Sequence, residues 1–160
     1  MSDSKFKKIE VTLTEAAALL SKGNTISDLA GVSQEHMEAL YALGYQFYNA
    51  QNYDDALNVF KALCVYDTTE GKYFMGMAGC LQELGQFKLA AETYGMACAV
   101  EGLVNPEPIY YAAICLLKCN EKDNAIAALE SVSIMGREGN EHDAEYIEKC
   151  NALLEVLQNS

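Results

Sequence analysis

Apolar residues in this chain recur three and four positions apart, a spacing that places them on one face of a helix rather than one face of a strand. Leu40, Leu43 and Phe47 form one such stripe, predicted to be core, and Leu13, Ala16, Ala17 and Leu20 form another that runs up to Gly23. Ile147, Cys150, Leu154 and Leu157 form a third, within a segment predicted helical from about Glu141 to Leu157. No alternating Val/Ile/Thr-rich run offers a strand, and the middle of the chain is dominated by Ala and Leu, strong helix formers. Polar punctuation falls between the stripes. Thr12 and Glu15 have capping-box spacing, as do Asp67 and Glu70, and Ser33 can cap the helix that follows it. Gln51-Asn52 separates one helix from the next, which Asp54 and Asp55 open; Gly85 suits a helix C-terminus, and Asn105-Pro106 a cap followed by proline at the first helical position. The pattern predicts an all-α chain.

The helices repeat. Ala56, Ala90 and Ala125 are separated by 34 and then 35 residues, and other sets share those offsets: Leu40/Phe74/Ile109, Gly44/Ala78/Ala113, Phe47/Leu81/Leu116, Phe60/Tyr94/Leu129 and Leu63/Ala97/Val132. Small residues recur where two helices must approach closely, and bulky ones recur between them. This resembles the tetratricopeptide repeat: Leu40, Leu43, Gly44, Phe47, Ala56 and Phe60 follow its pattern in the first unit, and Phe74, Met77, Ala78, Leu81, Ala90, Tyr94 and Ala97 in the second. The expected organisation is an N-terminal tail and helix over 1–31, three tandem repeats over 32–136 (about 37–70, 71–105 and 106–136) and a capping helix over 137–160. A terminal repeat exposes an apolar end, which explains the cap. The N-terminal stripe has no such neighbour, so Leu13, Ala17 and Leu20 are expected to serve self-association as a homodimer.

Charge excludes several functions. The formal net charge is −12, with Lys5, Lys7 and Lys8 the only basic cluster; a nucleic-acid binder needs a basic stripe to displace phosphate counterions, and an anionic membrane surface is disfavoured likewise. The longest apolar run, Ile109 to Leu117, is far short of the ~20 residues that span a bilayer, and the N-terminus lacks the apolar core of a signal peptide. Residence in the cytosol is expected. The six cysteines fit buried free thiols there: Cys115 and Cys119 lack a second Cys/His pair at zinc spacing, and neither His36 nor His142 sits beside a nucleophile. Catalysis, metal and cofactor are therefore not expected.

A second stripe carries the candidate function. Tyr41, Tyr45 and Tyr48 lie about 120° from the Leu40/Leu43/Phe47 face on a helical wheel. The repeat offsets carry them to Met75, Gly79 and Gln82, and then to Tyr110, Ile114 and Leu117. Stacked repeats would align these nine residues along one concave surface. Tyrosine suits such a groove because its ring buries area while its hydroxyl tolerates water, and Gly79 leaves room for a ligand. The expected ligand is an extended apolar peptide.

Leu40-Tyr41 with Tyr45, Phe47, Tyr48 and Asn49, then Phe60, Leu63, Cys64, Tyr66 and Asp67, resemble a narrower family: the class II, translocator-type chaperones of bacterial type III secretion systems. Gly76, Cys80, Gln82, Gly85 and Ala90 follow that family's second repeat, and Ala112, Ala113, Cys115, Leu116 and Leu117 its third. The resemblance implies a cytosolic chaperone that keeps hydrophobic pore-forming translocators soluble by holding a proline-containing segment near their N-terminus, with Tyr41, Tyr45 and Tyr48 lining the pockets. It also implies, for some members, action with a transcriptional regulator. The chain departs from the family at Tyr111, where histidine is common, at Ile114, where glutamate is common, and at Cys119-Asn120, which replaces a glycine turn. The alternative is a general tetratricopeptide adaptor or co-chaperone for another protein; one gripping an acidic C-terminus would need a basic clamp, where this chain holds Tyr41, Tyr45, Gly76, Glu107 and Tyr111.

Overall fold

The computed structural model describes residues 21–160, so Thr12, Glu15 and the self-association face of Leu13, Ala17 and Leu20 lie outside the described residues. The described chain is helical throughout: α1 Ile26–Ala30, α2 Gln34–Asn49, α3 Tyr53–Tyr66, α4 Gly71–Glu83, α5 Phe87–Val100, α6 Glu107–Lys118, α7 Lys122–Ser131 with a 3-10 turn Val132–Ile134, and α8 Glu141–Gln158. From α2 onward each helix packs on the next, and α8 folds back onto both α6 and α7. Among the described residues no helix is long and apolar enough to cross a membrane.

The repeat offsets become interior positions. Ala56, Ala90 and Ala125 are fully buried, as are Leu63, Ala97 and Val132, while Phe60, Tyr94 and Leu129 fill the space between helices. Phe60 of α3 is the wedge of the first unit. Its ring sits between α2 and α4, and it fits only because Gly44 and Gly76 lack side chains: a Cβ at Gly44 would stand 3.0 Å from the ring, and one at Gly76 would overlap it. The turns repeat as well. Gln51, Gly85 and Asn120 all take the left-handed conformation, with φ of 60°, 73° and 59°. In each turn the next amide reaches back to the aligned carbonyl, Asn52 to Phe47, Gln86 to Leu81 and Glu121 to Leu116, satisfying the end of the first helix of each pair. Asn120 thus does the work of the glycine it replaces, as asparagine can at such a position.

Several local expectations need correction. Asp67 and Glu70 form no capping box: Asp67 instead accepts from the Thr69 amide at 2.8 Å and its hydroxyl at 2.6 Å, and α4 begins only at Gly71. Leu43 is not core; it is 37% exposed, and Met37, at 1%, and Gly44 are the buried residues of α2. The sequence pattern also passed over α1, a short helix held by a reciprocal capping box between Thr25 and Asp28 and closed by Gly31. Of the cysteines, Cys119 is only half-buried while the other five are buried. Burial pushes the Cys64 thiol up to about 12 and those of Cys80, Cys115 and Cys150 to about 11.

The cap is fastened by one buried carboxylate. Asp143, 1% exposed, accepts from the Arg137 amide at 2.8 Å, from Nε at 2.7 Å and from Nη2 at 2.6 Å. The Arg137 guanidinium holds the Asp143 pKa below the usual carboxylate value. A depressed folded-state pKa stabilises above the unfolded value of about 3.9 and loses that contribution as pH falls through the folded value. Asp143→Asn is expected to cost about 2 kcal/mol at neutral pH, the partner being half-exposed, and to flatten the fall in stability below about pH 4. Urea titrations of both proteins from pH 7 to pH 3 check this; parallel curves would show that the pair contributes nothing.

Candidate functional site

The first helices of the three pairs, α2, α4 and α6, carry the tyrosine stripe and its repeat equivalents. A cavity of about 280 Å3 opens between them and α5, walled by Tyr45 and Tyr48 of α2, Met75, Gly76 and Gly79 of α4, and Tyr94 and Tyr111 of α5 and α6. Gln82, Glu83 and Glu107 complete the lining. Five of the nine stripe residues named from sequence (Tyr45, Tyr48, Met75, Gly79 and Gln82) therefore share one cavity.

The other four do not line it. Tyr41 is half-buried in the core, its ring centroid 6.0 Å from Phe60 and 5.8 Å from Tyr73, with Lys72 Nζ 4.8 Å above its face. Tyr110 and Leu117 pack into a second core shared with α7 and α8, and Tyr110 lies 5.7 Å from Tyr146. Ile114 is half-buried outside the lining. The premise that α2 has a whole spare apolar stripe thus holds only in part. Tyr45, at 37% exposed, is its open member; Tyr48 is half-buried and Tyr41 is absorbed by folding.

Tyr111 takes the place Tyr110 was expected to fill. It stacks on Tyr94 with centroids 5.5 Å apart and planes 23° from parallel, and its hydroxyl lies 3.0 Å from that of Tyr146. One residue along a helix is a turn of about 100°. The offsets that relate Tyr41, Met75 and Tyr110 also relate Ala42, Gly76 and Tyr111, and Gly76 lines the cavity too, so this neighbouring register already faces it in the second repeat. Tyr94 was legible as core, which it is, but its far end also reaches the cavity: its hydroxyl donates to Gln82 Oε1 at 3.1 Å. The Cys115 thiol donates to the same oxygen at 3.5 Å, so the Gln82 amide is fixed from two sides. Glu107 enters from the first turn of α6, where Asn105 Oδ1 accepts from its amide at 3.0 Å. No apolar-stripe argument could have found Glu83 or Glu107.

Burial, and then Glu83, pushes the Tyr48 phenol up to about 12; burial raises Tyr41 and Tyr94 further. All three are neutral hydroxyls at physiological pH. The site offers aromatic faces, two carboxylates and hydroxyls over a glycine floor, with no nucleophile–base pair. Among the described residues no group of three or more His, Cys, Asp or Glu stands together as a metal site.

Comparison with known proteins agrees with the geometry. The family model for the tetratricopeptide repeat matches residues 37–68, which span α2 and α3. The chain is 36% identical to Low calcium response locus protein H of Yersinia pestis over 112 residues, 70% of this chain and 66% of that protein. To Chaperone protein SicA of Salmonella typhimurium it is 34% identical over 115 residues, 71% of this chain and 68% of SicA. The chain thus matches about two thirds of the length of these relatives. The solved type III secretion translocator chaperone SycD of Yersinia enterocolitica superposes with a TM-score of 0.74 at 30% identity, covering 84% of this chain and 98% of SycD. SycD has also been solved with a peptide of the translocator YopD (TM-score 0.70, 29% identity, covering 80% of this chain and 96% of SycD) and in an alternative dimer. With this identity, this coverage and the same stacked helix pairs, the chain belongs to the tetratricopeptide-repeat translocator chaperones of type III secretion.

Proposed function

We propose that the chain is a secretion chaperone without catalytic activity, acting in the bacterial cytoplasm, that holds an extended, apolar, proline-containing segment of a hydrophobic translocator in the cavity between α2, α4 and α6. The observation that carries this reading is the open lining itself. Tyr45, Tyr48 and Met75 turn aromatic and thioether surface into the cavity, which the core covers only in part, with Gly79 in the same wall. An extended segment suits such a trough, because it offers alternate side chains to the wall and has little internal structure to lose. Peptide-bound SycD supports the reading by analogy, and the net charge of −12 would keep a complex with an apolar client dispersed. Self-association through Leu13, Ala17 and Leu20 belongs to the same proposal, as does action with a transcriptional regulator once the client has left.

Capture needs no energy input. The cavity sequesters one apolar segment at equilibrium, and whatever the client would otherwise do with that segment, including premature self-association, is suppressed by mass action. Co-expression with a pore-forming translocator is the direct test. A soluble complex is expected by size exclusion with the full-length client, and none with a client lacking its N-terminal proline-containing segment. A client equally soluble without the chaperone, or a complex indifferent to that deletion, would refute the assignment.

A further inference from the structure

Simple apolar capture leaves half of the cavity lining without a role. The hydroxyls of Tyr48 and Tyr94 converge over Gly79, 3.8 and 3.9 Å from where a Cβ would stand. Gln82 Oε1 already accepts from Tyr94 and Cys115, so those two donors are spent within the wall. Glu83 and Glu107 add carboxylates, which only accept when ionised. No Lys or Arg lines the cavity. An apolar side chain seated here would strip water from acceptors and charges and return nothing.

The surrounding tyrosines show the contrast. At one end of the groove Lys72 Nζ stands 4.8 Å from the Tyr41 ring centroid, and at the other Lys149 Nζ stands 4.4 Å from that of Tyr146. Among the described residues no cation stands over Tyr45, Tyr48, Tyr94 or Tyr111, although four aromatic faces meet two carboxylates there. Glu107 has His142 Nε2 at 3.3 Å beside it, while Glu83 has no ion pair among the described residues.

We propose that the Tyr48, Tyr94, Glu83 and Glu107 side of this cavity is a cation subsite, which takes the guanidinium or ammonium of a basic residue within the bound apolar segment. This rests on the peptide-binding reading above and adds a rule of selection to it. A basic side chain brings an aliphatic stem for the Met75 and tyrosine surfaces and a head with several donors for the acceptors. Ring faces and carboxylates then act together on one charge. The subsite gives the chaperone a way to reject segments that are merely apolar, since those leave Glu83 desolvated and unpaired.

The test uses fluorescein-labelled decapeptides of Leu, Ala and Pro in which one guest residue, Arg, its neutral isostere citrulline, or Leu, is walked through every position. With the full chain at low salt, at least one register is expected to bind the Arg peptide about tenfold more tightly than the citrulline peptide. In Glu83→Gln the Arg-to-citrulline ratio in that register is expected to fall towards one. Glu83 is an exposed position near the end of α4, and circular dichroism verifies that the variant folds. Peptides that bind with no Arg preference in any register, or a preference untouched by Glu83→Gln, would overturn the subsite and leave the groove reading standing. Failure of every peptide to bind would overturn both.

Discussion

Replacing Tyr45 and Tyr48 together with alanine is expected to weaken capture of an extended apolar segment by roughly 2–4 kcal/mol, about 30- to 1000-fold in Kd. Tyrosines in a recognition cavity concentrate binding energy because each rigid ring buries a large area at the cost of few rotamers. The two rings are 6.2 Å apart and form one wall, so their losses are coupled and need not sum. The cost to folding is smaller at Tyr45, already 37% exposed, than at Tyr48, which packs against the core and against Tyr53 at 5.3 Å. Tyr41→Ala supplies the internal contrast. That ring lies against Phe60 and Tyr73 outside the cavity, so its truncation should lower thermal stability more than it lowers affinity. Titration with a labelled client segment, alongside thermal melts, separates the two effects. A double variant that folds and binds as tightly as the parent would remove the cavity from consideration.

Phe60→Ala is expected to be the most damaging single change to the fold, at about 3–5 kcal/mol. Phe60 is fully buried, and its ring meets α2 at Gly44, α4 at Gly76 and the aromatic wall at Tyr41 and Tyr45. Relaxation into the hole would require α2 and α4 to move together, and consecutive helices are braced by the next pair in the stack. For a chain of this size the midpoint of thermal unfolding should fall by about 6–20 °C. Because Tyr45 rests on this ring, with centroids 5.4 Å apart, peptide affinity should suffer as well. Phe60→Leu should retain most of both. A loss under about 1 kcal/mol for Phe60→Ala would show that the wedge is not what spaces the helices.

The two experiments probe layers that the chain has kept distinct. Core aromatics such as Phe60 fix how far apart the helices stand, and that spacing opens a gap that Tyr45, Tyr48 and Tyr111 then line. Binding residues on rigid helices, rather than on loops, also have little ordering entropy to lose when a client arrives.

Sequence alone determined the repeat and its register. Alanines and bulky residues recurring at 34 and 35 residues point to units that stack; the Ala56, Phe60 and Leu63 sets proved to be sealed, and Leu40, Phe47, Ile109 and Leu116 half-buried. It also determined the family, since Tyr45, Tyr48, Phe60, Gly76 and Gln82 stand together in the pattern that the resemblance requires. What it could not determine was which residues of a helix face the cavity in the third repeat. Tyr110 and Tyr111 are neighbours of the same kind, about 100° apart on one helix, and the repeat offset alone carried the stripe to the first of them while the cavity takes the register of Gly76 and Tyr111. Leu43, placed on the core face by its spacing, is 37% exposed, while Met37, one turn before Leu40, is sealed at 1%. Glu107 was placed with Gly76 and Tyr111 by comparison with a carboxylate clamp, but only the tertiary structure brought Glu83 to the same aromatic cavity. Periodicity records which residues avoid water; where a charge ends up depends on how neighbouring helices turn.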